Sequence, residues 1–205
     1  MKDIVFLLDS GHGGMINGVY QTDPKIGKYF RFPDGEIAYE GVVNRQIKKL
    51  VLEKMTSKGI RAVDVCPSEL DLSLDARCDY VNLLCREYGN TNCLLISLHS
   101  NAGQGTGFEI WTSPGQNKSD EYATKFFNLF ATYFPTMALR QDKSDGDPDK
   151  ESRFYILVNT KCPAILTEFL FYDNRKDWEV LKDPATHIRY ANMICDFALN
   201  INLNS

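Results

Sequence analysis

The apolar positions of the chain follow two periods, one typical of buried strands and the other of amphipathic helices. Apolar runs bounded by Gly, Pro or polar residues predict six strands, which are DIVFLLDS (3–10), IRAVDVC (60–66), NCLLISLHSNA (92–102), GFEIWTS (107–113), FYILVNT (154–160) and PAILTEFLF (163–171). Apolar residues at helical spacing predict four helices, over 41–58, from the caps at 71–73 to residue 88, over 119–134 and over 186–201.

Strands that alternate with helices indicate an α/β domain with a mostly parallel central sheet of about six strands, flanked by helices. The 205 residues fit a single domain. In its second helix, Leu74, Cys78, Val81 and Cys85 share the stripe expected to face the core. Two segments interrupt the alternation: residues 15–39 carry Gly, Pro and aromatic residues, and the polar residues 140–152 predict a solvated loop.

Charge, the length of the apolar runs and the cysteine spacing narrow the class of protein. A net charge of −4 and a pI near 5.4 argue against nucleic-acid binding, which normally needs a basic surface. No apolar run approaches the roughly 20 residues that cross a bilayer, so we expect no membrane insertion. The six cysteines have no CxxC spacing, and Cys66, Cys93 and Cys162 lie in or beside apolar runs. We therefore expect free, buried thiols.

Two of the three histidines lie at or near the ends of predicted strands: His12 follows the first strand, and His99 lies near the end of the third. Because functional sites of such sheets lie at the carboxyl ends of the strands, the two imidazoles can meet there and bind one zinc ion. A carboxylate would complete a His₂Glu set with one position left for water. Glu36 and Glu40 are the candidates, and Glu40 at the start of a helix also suits the helix dipole.

Glu168 is the one charged residue in the otherwise apolar strand segment AILTEFLF. An unpaired carboxylate inside a strand is unfavourable, so the residue needs a partner or a function. One interpretation is a buried ion pair with an arginine, and the other is a carboxylate that faces a metal-bound water. His187, in the closing helix, is predicted to be a surface residue.

Four segments resemble, in order, the signatures of zinc-dependent N-acetylmuramoyl-L-alanine amidases, which cut the bond between muramic acid and L-alanine in peptidoglycan. They are LLDSGHGG, YEGVVNRQI, ISLHSNA and PAILTEFLFYDN, and the segments DLSLDARCDYVN and GTGFEIWTS extend the likeness over nearly the whole chain. The resemblance implies a phosphorylase/hydrolase-like fold, a peptidoglycan substrate and one zinc ion. It also implies one catalytic domain over residues 1–205, without a separate wall-binding module.

Carried over residue by residue, the resemblance makes His12, Glu40 and His99 the zinc ligands and Glu168 the catalytic residue. Glu40 is preferred to Glu36 because the family places its glutamate four residues before an asparagine, here Asn44. The apolar strand should raise the pKa of Glu168, which would help it hold a proton during the reaction. The glycines around His12 should let backbone and substrate approach the metal.

The chain departs from the family pattern between His12 and Glu40, where 27 residues replace a short loop. Either this insertion is a flap whose Tyr29, Phe30 and Phe32 bind substrate, or the glutamate is wrongly assigned. Asn101, at the polar end of the third strand, is a further candidate for substrate binding. After the second strand the family's Thr-Arg pair is missing, so the function of that arginine is lost or performed by another residue.

Two rival hypotheses stay open: a zinc amidohydrolase of the same fold that acts on another peptide or acyl-amino acid, and a non-catalytic wall-binding domain. The N-terminal MKDIVFLLDSG predicts a strand and not a signal peptide. We therefore expect a monomer made in the cytoplasm that acts at the cell wall, as a phage-type lysin does. The alternative is a secreted enzyme whose signal has been trimmed.

Overall fold

The computed structural model describes residues 3–203, and a six-stranded sheet lies at its centre. Its strands are β1 (Val5–Ser10), β6 (Ala62–Asp64), β7 (Cys93–Asn101), β8 (Phe108–Thr112), β9 (Lys150–Glu151) and β10 (Ala164–Phe171), in the order β6-β1-β7-β10-β8-β9. The first four strands in this order are parallel, β8 is antiparallel to β10, and β9 is parallel to β8. The predicted α/β domain with a mostly parallel sheet is confirmed.

Helices cover both faces of the sheet. They are α1 (Glu40–Ser57), α2 (Leu74–Tyr88), α3 (Lys118–Tyr133), α4 (Tyr155–Val158), α5 (Arg175–Leu181) and α6 (Pro184–Leu203). Apolar side chains of α1, α3 and α6 form the larger core cluster on one face, and those of α2 and α4 form a smaller cluster on the other. Each fully buried large side chain contributes roughly 1.5–3 kcal/mol of transfer free energy. The sheet is therefore fixed from both faces, and its strand ends can position a site.

The helix starts follow local sequence signals. The Ser73 hydroxyl accepts a hydrogen bond from the amide of Ala76 at the start of α2. At the start of α3, Asn117 and Asp120 form a capping box. The side chain of each residue accepts a hydrogen bond from the backbone amide of the other. These caps place both helices where the sequence predicts them.

The predicted strand at 154–160 is wrong, because this segment forms the short helix α4. A half-buried strand would bury alternate residues, whereas here the adjacent Ile156 and Leu157 are both buried in the smaller core cluster. Tyr155 and Val158 are exposed. The sixth strand is instead β9, a two-residue segment too short for an apolar pattern to reveal.

Two further predictions need correction, and two features of the structure were not predicted. Leu74 does not face the core but is 51% exposed at the first turn of α2, and His187 is buried and contacts the Leu181 carbonyl, so it is not a surface residue. The insertion at 15–39 contains two small antiparallel ribbons, β2 (Met15–Ile16) with β3 (Val19–Tyr20) and β4 (Tyr29–Arg31) with β5 (Ile37–Tyr39). Helix α5 was not predicted.

The six cysteines are free and buried, as expected. Within residues 3–203 the helices are all too short or too polar to span a membrane.

Candidate active site and metal centre

The carboxyl ends of β1, β7 and β10 lie side by side and bring together residues that are distant in sequence. In the parallel register Ser10 is opposite Leu98, and His99 is opposite Glu168. His12 lies two residues beyond the end of β1, and Glu40 is the first residue of α1. The sheet and one helix start therefore position all four residues.

His12, Glu40 and His99 form a compact group. His99 Nδ1 lies 3.0 Å from Glu40 Oε1, and His12 Nε2 lies 3.4 Å from Glu40 Oε2. The two imidazoles are nearly perpendicular, with ring centroids 5.2 Å apart. In the described part of the chain this is the single group of three His, Cys, Asp or Glu residues whose potential ligand atoms all lie within 4.8 Å of one another.

The donor atoms of this group fit a metal ion. His12 Nε2 and Glu40 Oε2 are inaccessible to solvent, yet neither has a hydrogen-bond partner. Such buried polar atoms are unfavourable unless something binds them. Two imidazoles and one carboxylate are one of the ligand sets that hold catalytic zinc ions.

Glu40 is held in the charged form that a metal ligand needs. Burial would raise its pKa, but the contacts with His12 and His99 outweigh burial and hold the pKa well below its usual range. Asn44 Nδ2 lies 3.5 Å from Glu40 Oε1 and also donates to the Gly11 carbonyl. The residue four positions after Glu40 therefore links this carboxylate to the loop before His12.

Glu36 lies outside the group. Its carboxylate forms ion pairs with Lys182 and Arg175 at the two ends of α5, and hydrogen bonds with Lys182, Trp178 and Arg175 lower its pKa to about 2. The geometry therefore favours Glu40 over Glu36 as the third ligand.

We expect Glu40→Gln to weaken zinc binding more than about 100-fold, since even the loss of a group that merely supports a ligand costs roughly 10–100-fold. Glu36→Gln is the matched control and should leave the affinity unchanged. Competition with a zinc chelator measures both. Equal affinities for the two variants would contradict the assignment of Glu40.

Glu168 lies at the same edge of the sheet. Its Oε2 is inaccessible to solvent and has no hydrogen-bond partner. Within residues 3–203 it has no arginine or lysine within ion-pair distance, so the buried ion pair considered from the sequence is wrong. Burial is the main cause that raises its pKa, to about 8; the positive charge of His99 opposes this and the negative charge of Glu40 adds to it. The expected direction of this pKa shift is confirmed.

The backbone beside Glu168 is irregular. The register between β10 and β7 shifts between Glu168 and Phe171, and the buried Leu170 has a φ of 62°. A positive φ is unfavourable for a branched residue, and such bulges commonly re-aim a side chain next to a functional site. The irregularity thus lies immediately after Glu168, the residue opposite His99 in the sheet.

Comparison with known proteins agrees with this geometry. The sequence profile of the Amidase_3 family, described as N-acetylmuramoyl-L-alanine amidase, matches residues 6–200. The chain belongs to this amidase family.

One curated relative of this amidase domain is the N-acetylmuramoyl-L-alanine amidase CwlM of Bacillus licheniformis, 27% identical over 188 residues. The match covers 89% of this chain and 62% of the relative, so the chain spans less than two thirds of that protein's length.

Solved structures show the same fold at low identity. The N-acetylmuramoyl-L-alanine amidase from Clostridium difficile 630 has a TM-score of 0.73 at 22% identity, covering 100% of this chain and 99% of its own. Ami1 from Mycobacterium smegmatis has a TM-score of 0.76 at 19% identity, covering 98% of each chain. The catalytic domain of the CD27L endolysin, which targets Clostridia difficile, has a TM-score of 0.61 at 23% identity, covering 97% of this chain and 98% of its own.

His12 has a strained backbone that two arginines hold in place. Its φ is 64°, in the left-handed region that non-glycine residues avoid. Arg45 of α1 donates to the His12 carbonyl, and Arg77 of α2 approaches the same oxygen at 3.5 Å. Arg45 also donates to the carbonyls of Ser68 and Leu70 in the loop after β6. Arg45 thus ties the loop after β6, where the family's Thr-Arg pair is missing, to the candidate ligand His12.

The glycines around His12 are explained by close packing within the protein. A Cβ built on Gly11 would lie 2.1 Å from His99 Cε1, and one on Gly41 would lie 2.0 Å from the Gly13 carbonyl oxygen. A Cβ on Gly14 would meet chiefly the carboxylate end of the half-exposed Glu69 side chain, which can move aside. These contacts modify the sequence interpretation, because the glycines admit the second imidazole and helix α1 and are not explained by substrate approach.

Gly11→Ala is expected to displace the His99 ring and lower zinc affinity by roughly 10–100-fold, as the loss of a supporting group does. Far-ultraviolet circular dichroism should show a retained fold. Gly18→Ala is the control, since a Cβ at Gly18 meets nothing within 4 Å, although the φ of Gly18, unlike that of Gly11, is positive. An unchanged affinity in the Gly11 variant would show that the His99 position is not critical.

A cleft of about 490 Å³ opens from His12 and His99. The insertion contributes Gln21 and Ile26 to one wall, and Leu72 and Leu74 before and in α2 contribute to the other. The insertion therefore lies beside the metal centre, where a flap would lie. The exposed Leu74, which the helical pattern assigned to the core, is part of this apolar lining.

The four predicted substrate-binding residues are absent from the lining of this cleft. Phe32 is 4% exposed and stacks on Trp178, so its prediction is wrong, because the ring belongs to the core. Phe30 is half-buried against Phe32. Tyr29 is 39% exposed and contacts Tyr39.

Asn101 ends β7, and its side chain accepts a hydrogen bond from the amide of Ala102. Its contact with substrate stays a prediction.

Sequence reasoning missed Lys28. Its Nζ lies 3.6 Å from Glu40 Oε2, and its carbonyl accepts hydrogen bonds from the Tyr20 hydroxyl and from the amide of Glu40. The Tyr20 hydroxyl in turn accepts from the amide of Gly41. These contacts anchor the insertion to the start of α1. A lone lysine in a polar loop carries no sequence signal for this role.

Proposed function

We propose that this protein is a zinc-dependent hydrolase that cleaves the amide bond between N-acetylmuramic acid and L-alanine in peptidoglycan. The observation that carries the proposal is the group of His12, Glu40 and His99, whose buried His12 Nε2 and Glu40 Oε2 atoms lack a hydrogen-bond partner, beside the Glu168 carboxylate. Family membership supports the choice of amide bond. We assign His12, Glu40 and His99 as zinc ligands and Glu168 as the catalytic residue.

Zinc bound to these ligands would lower the pKa of a water molecule and polarise the substrate carbonyl. Glu168 accepts the proton of the attacking water at its carboxylate and then donates it to the nitrogen of the departing L-alanine, as a general base and then a general acid. Its raised pKa suits this proton transfer, because the carboxyl can hold the proton between the two steps.

The cleft favours a substrate with apolar and polar parts. Its walls combine Ile26, Leu72 and Leu74 with the amide side chain of Gln21. A muramoyl peptide offers methyl groups and amides to such a surface. A hydrolase for another peptide or an acyl-amino acid would use the same zinc and the same Glu168, so the substrate must be tested directly.

Digestion of purified peptidoglycan, with and without a chelator, tests the proposed function. We expect newly freed L-alanine amino groups, loss of this release on chelation and recovery with added zinc. Release of reducing sugar, or digestion insensitive to metal removal, would contradict it. Binding of peptidoglycan without cleavage would indicate a wall-binding domain.

We further propose that the protein acts at the cell wall as a phage-type lysin. The six free, buried thiols are consistent with folding in a reducing compartment. The fold shared with the catalytic domain of the CD27L endolysin agrees with this setting. Lysis of cells from outside and expression together with a membrane-permeabilising protein would distinguish a lysin from an amidase that remodels its own cell's wall. Analytical ultracentrifugation tests the expected monomer.

A further inference from the structure

The two ends of the polar segment 140–152 contact the sheet, so this segment is not the fully solvated loop that the sequence predicts. At its start, the amide of Arg140 donates a hydrogen bond to the Phe108 carbonyl of β8. At its end, Lys150 begins β9 and lies opposite Trp111 of β8. The backbone of β8, the strand next to β10, therefore places both cations.

Both cations contact Glu109, the residue of β8 that lies opposite the proposed catalytic residue. Glu109 pairs with Glu168 in the antiparallel register, and Glu168 pairs with His99 in the parallel one. Directly paired residues of neighbouring strands lie on the same face of a sheet, about 5 Å apart. Glu109 is therefore the next position after His99 and Glu168 in a row that crosses the sheet.

Two cations surround one carboxylate at this position. Glu109 is 3% exposed and forms ion pairs with Arg140 Nε and with Lys150 Nζ, the latter at 3.2 Å. In the described part of the chain, neither cation lies within ion-pair distance of a second carboxylate. One positive charge is thus left over beside the proposed catalytic residue.

The guanidinium of Arg140 is held in place but keeps free donors. Its carbon lies 5.2 Å from the centroid of the Phe171 ring, and its Nε donates to the Glu109 carboxylate. The side chain is 42% exposed, and within residues 3–203 neither Nη1 nor Nη2 donates a hydrogen bond. Four N–H groups of a planar, permanently charged fork are therefore available, and this geometry matches a carboxylate.

We propose that Arg140 and Lys150 form a subsite that binds a carboxylate in the peptide stem of the substrate. The subsite rests on the proposed function, since it assumes that the stem is cut from muramic acid beside Glu168. Its neighbours suit a peptide. Lys150 Nζ lies 5.2 Å from the centroid of the Trp111 ring, and the 38% exposed Phe154 packs edge-on against that ring, so apolar surface lies next to the cations.

The spacing of the strands indicates which carboxylate is bound. One residue of extended peptide spans about 3.5 Å, and neighbouring strands lie about 4.8 Å apart. A group held beside Glu109 is therefore one or two residues from an amide bond that is cut beside Glu168. In a stem whose second residue is a γ-linked D-glutamate, the free α-carboxylate of that residue lies at this distance.

Steady-state kinetics with two muramoyl pentapeptides tests the subsite. The peptides differ only in the second residue, which is D-isoglutamate with a free carboxylate or D-isoglutamine with a neutral amide. Wild-type protein should have a roughly 10-fold lower KM for the carboxylate peptide, because a charged hydrogen bond contributes to binding. The kcat values should be similar, since Arg140 does not touch the reacting atoms.

Arg140→Met should lose this preference through a higher KM for the carboxylate peptide. Arg140→Lys keeps the charge without the fork and should retain part of the preference. We expect both variants to fold, because Lys150 still pairs with Glu109. Far-ultraviolet circular dichroism checks the fold.

Arg61→Met is the matched control. Arg61 is also an exposed arginine over an aromatic ring, with its guanidinium carbon 4.9 Å from the centroid of Tyr88. It immediately precedes β6, at the amino ends of the parallel strands and away from the proposed zinc centre. This variant should keep the wild-type ratio of the two KM values.

Calorimetric titration in a Glu168→Gln background measures binding without turnover. The carboxylate peptide should bind about 10-fold more tightly than the amide peptide, and the preference should vanish in Glu168→Gln/Arg140→Met. A preference that persists in Arg140→Met, or equal KM values for wild type, would overturn the subsite and leave the proposed function intact. An equal loss of kcat with both peptides would also overturn it, because Arg140 would then only support Glu109. Cleavage of neither peptide by wild type would instead refute the proposed function and the subsite with it.

Discussion

Glu168→Gln is expected to reduce peptidoglycan turnover by roughly 10²–10⁴-fold, the contribution typical of a general acid–base residue. Glutamine keeps the shape of the side chain but cannot accept and return a proton. Because Glu168 is not among the three proposed ligands, zinc content should stay at one ion per chain. Turnover is measured as released amino groups, and zinc by atomic absorption.

Glu36→Gln is the matched control for this variant, since Glu36 forms a surface ion-pair network away from the metal centre. It should keep wild-type turnover. Turnover of Glu168→Gln near the wild-type rate would refute the assigned role, whereas loss of zinc in that variant would show that Glu168 is a ligand.

Arg77→Met is expected to destabilise the fold by about 3–5 kcal/mol, the usual consequence of breaking a buried ion pair. Arg77 is 3% exposed and Asp9 is 1% exposed, with 2.6 Å between Arg77 Nη1 and Asp9 Oδ1. Burial alone would raise the pKa of Asp9, but Arg77 and a hydrogen bond from Ser97 hold it below its ordinary value. Without Arg77 a charged carboxylate is left under the His12 loop.

Urea denaturation measures this effect. The double variant Asp9→Asn/Arg77→Met should recover much of the stability, because it removes both charges together. Arg77 also donates to the Ser10 carbonyl at 2.6 Å, so zinc affinity should fall in both variants even where the fold is restored. A single variant as stable as wild type would show that the pair does not maintain the strand end.

The sequence predicts the parts of the site that depend on topology. Parallel strands that end at one edge of a sheet bring His12, His99 and Glu168 together, and the helix start at Glu40 is visible as a change of period. The choice between Glu36 and Glu40 needed the family pattern. The structure agrees with it, because Glu36 is engaged by Arg175 and Lys182.

The sequence fails where long-range packing decides. From the sequence, Phe32 in a loop is predicted to bind substrate, yet its ring is buried in the core and stacks on Trp178. An apolar run such as 154–160 fits a strand or a helix, and only contact with α2 decides between them. The aspartates of 140–152 look solvated, because burial of Asp149 depends on a strand of two residues.

Zinc-edge anomalous diffraction from crystals of the zinc-loaded protein tests the central claim most directly. We predict one strong peak at the carboxyl ends of β1 and β7, about 2.0–2.2 Å from an imidazole nitrogen of His12, an oxygen of Glu40 and an imidazole nitrogen of His99. A peak bound by other residues, or two imidazoles that turn away from each other with no zinc between them, would contradict the account.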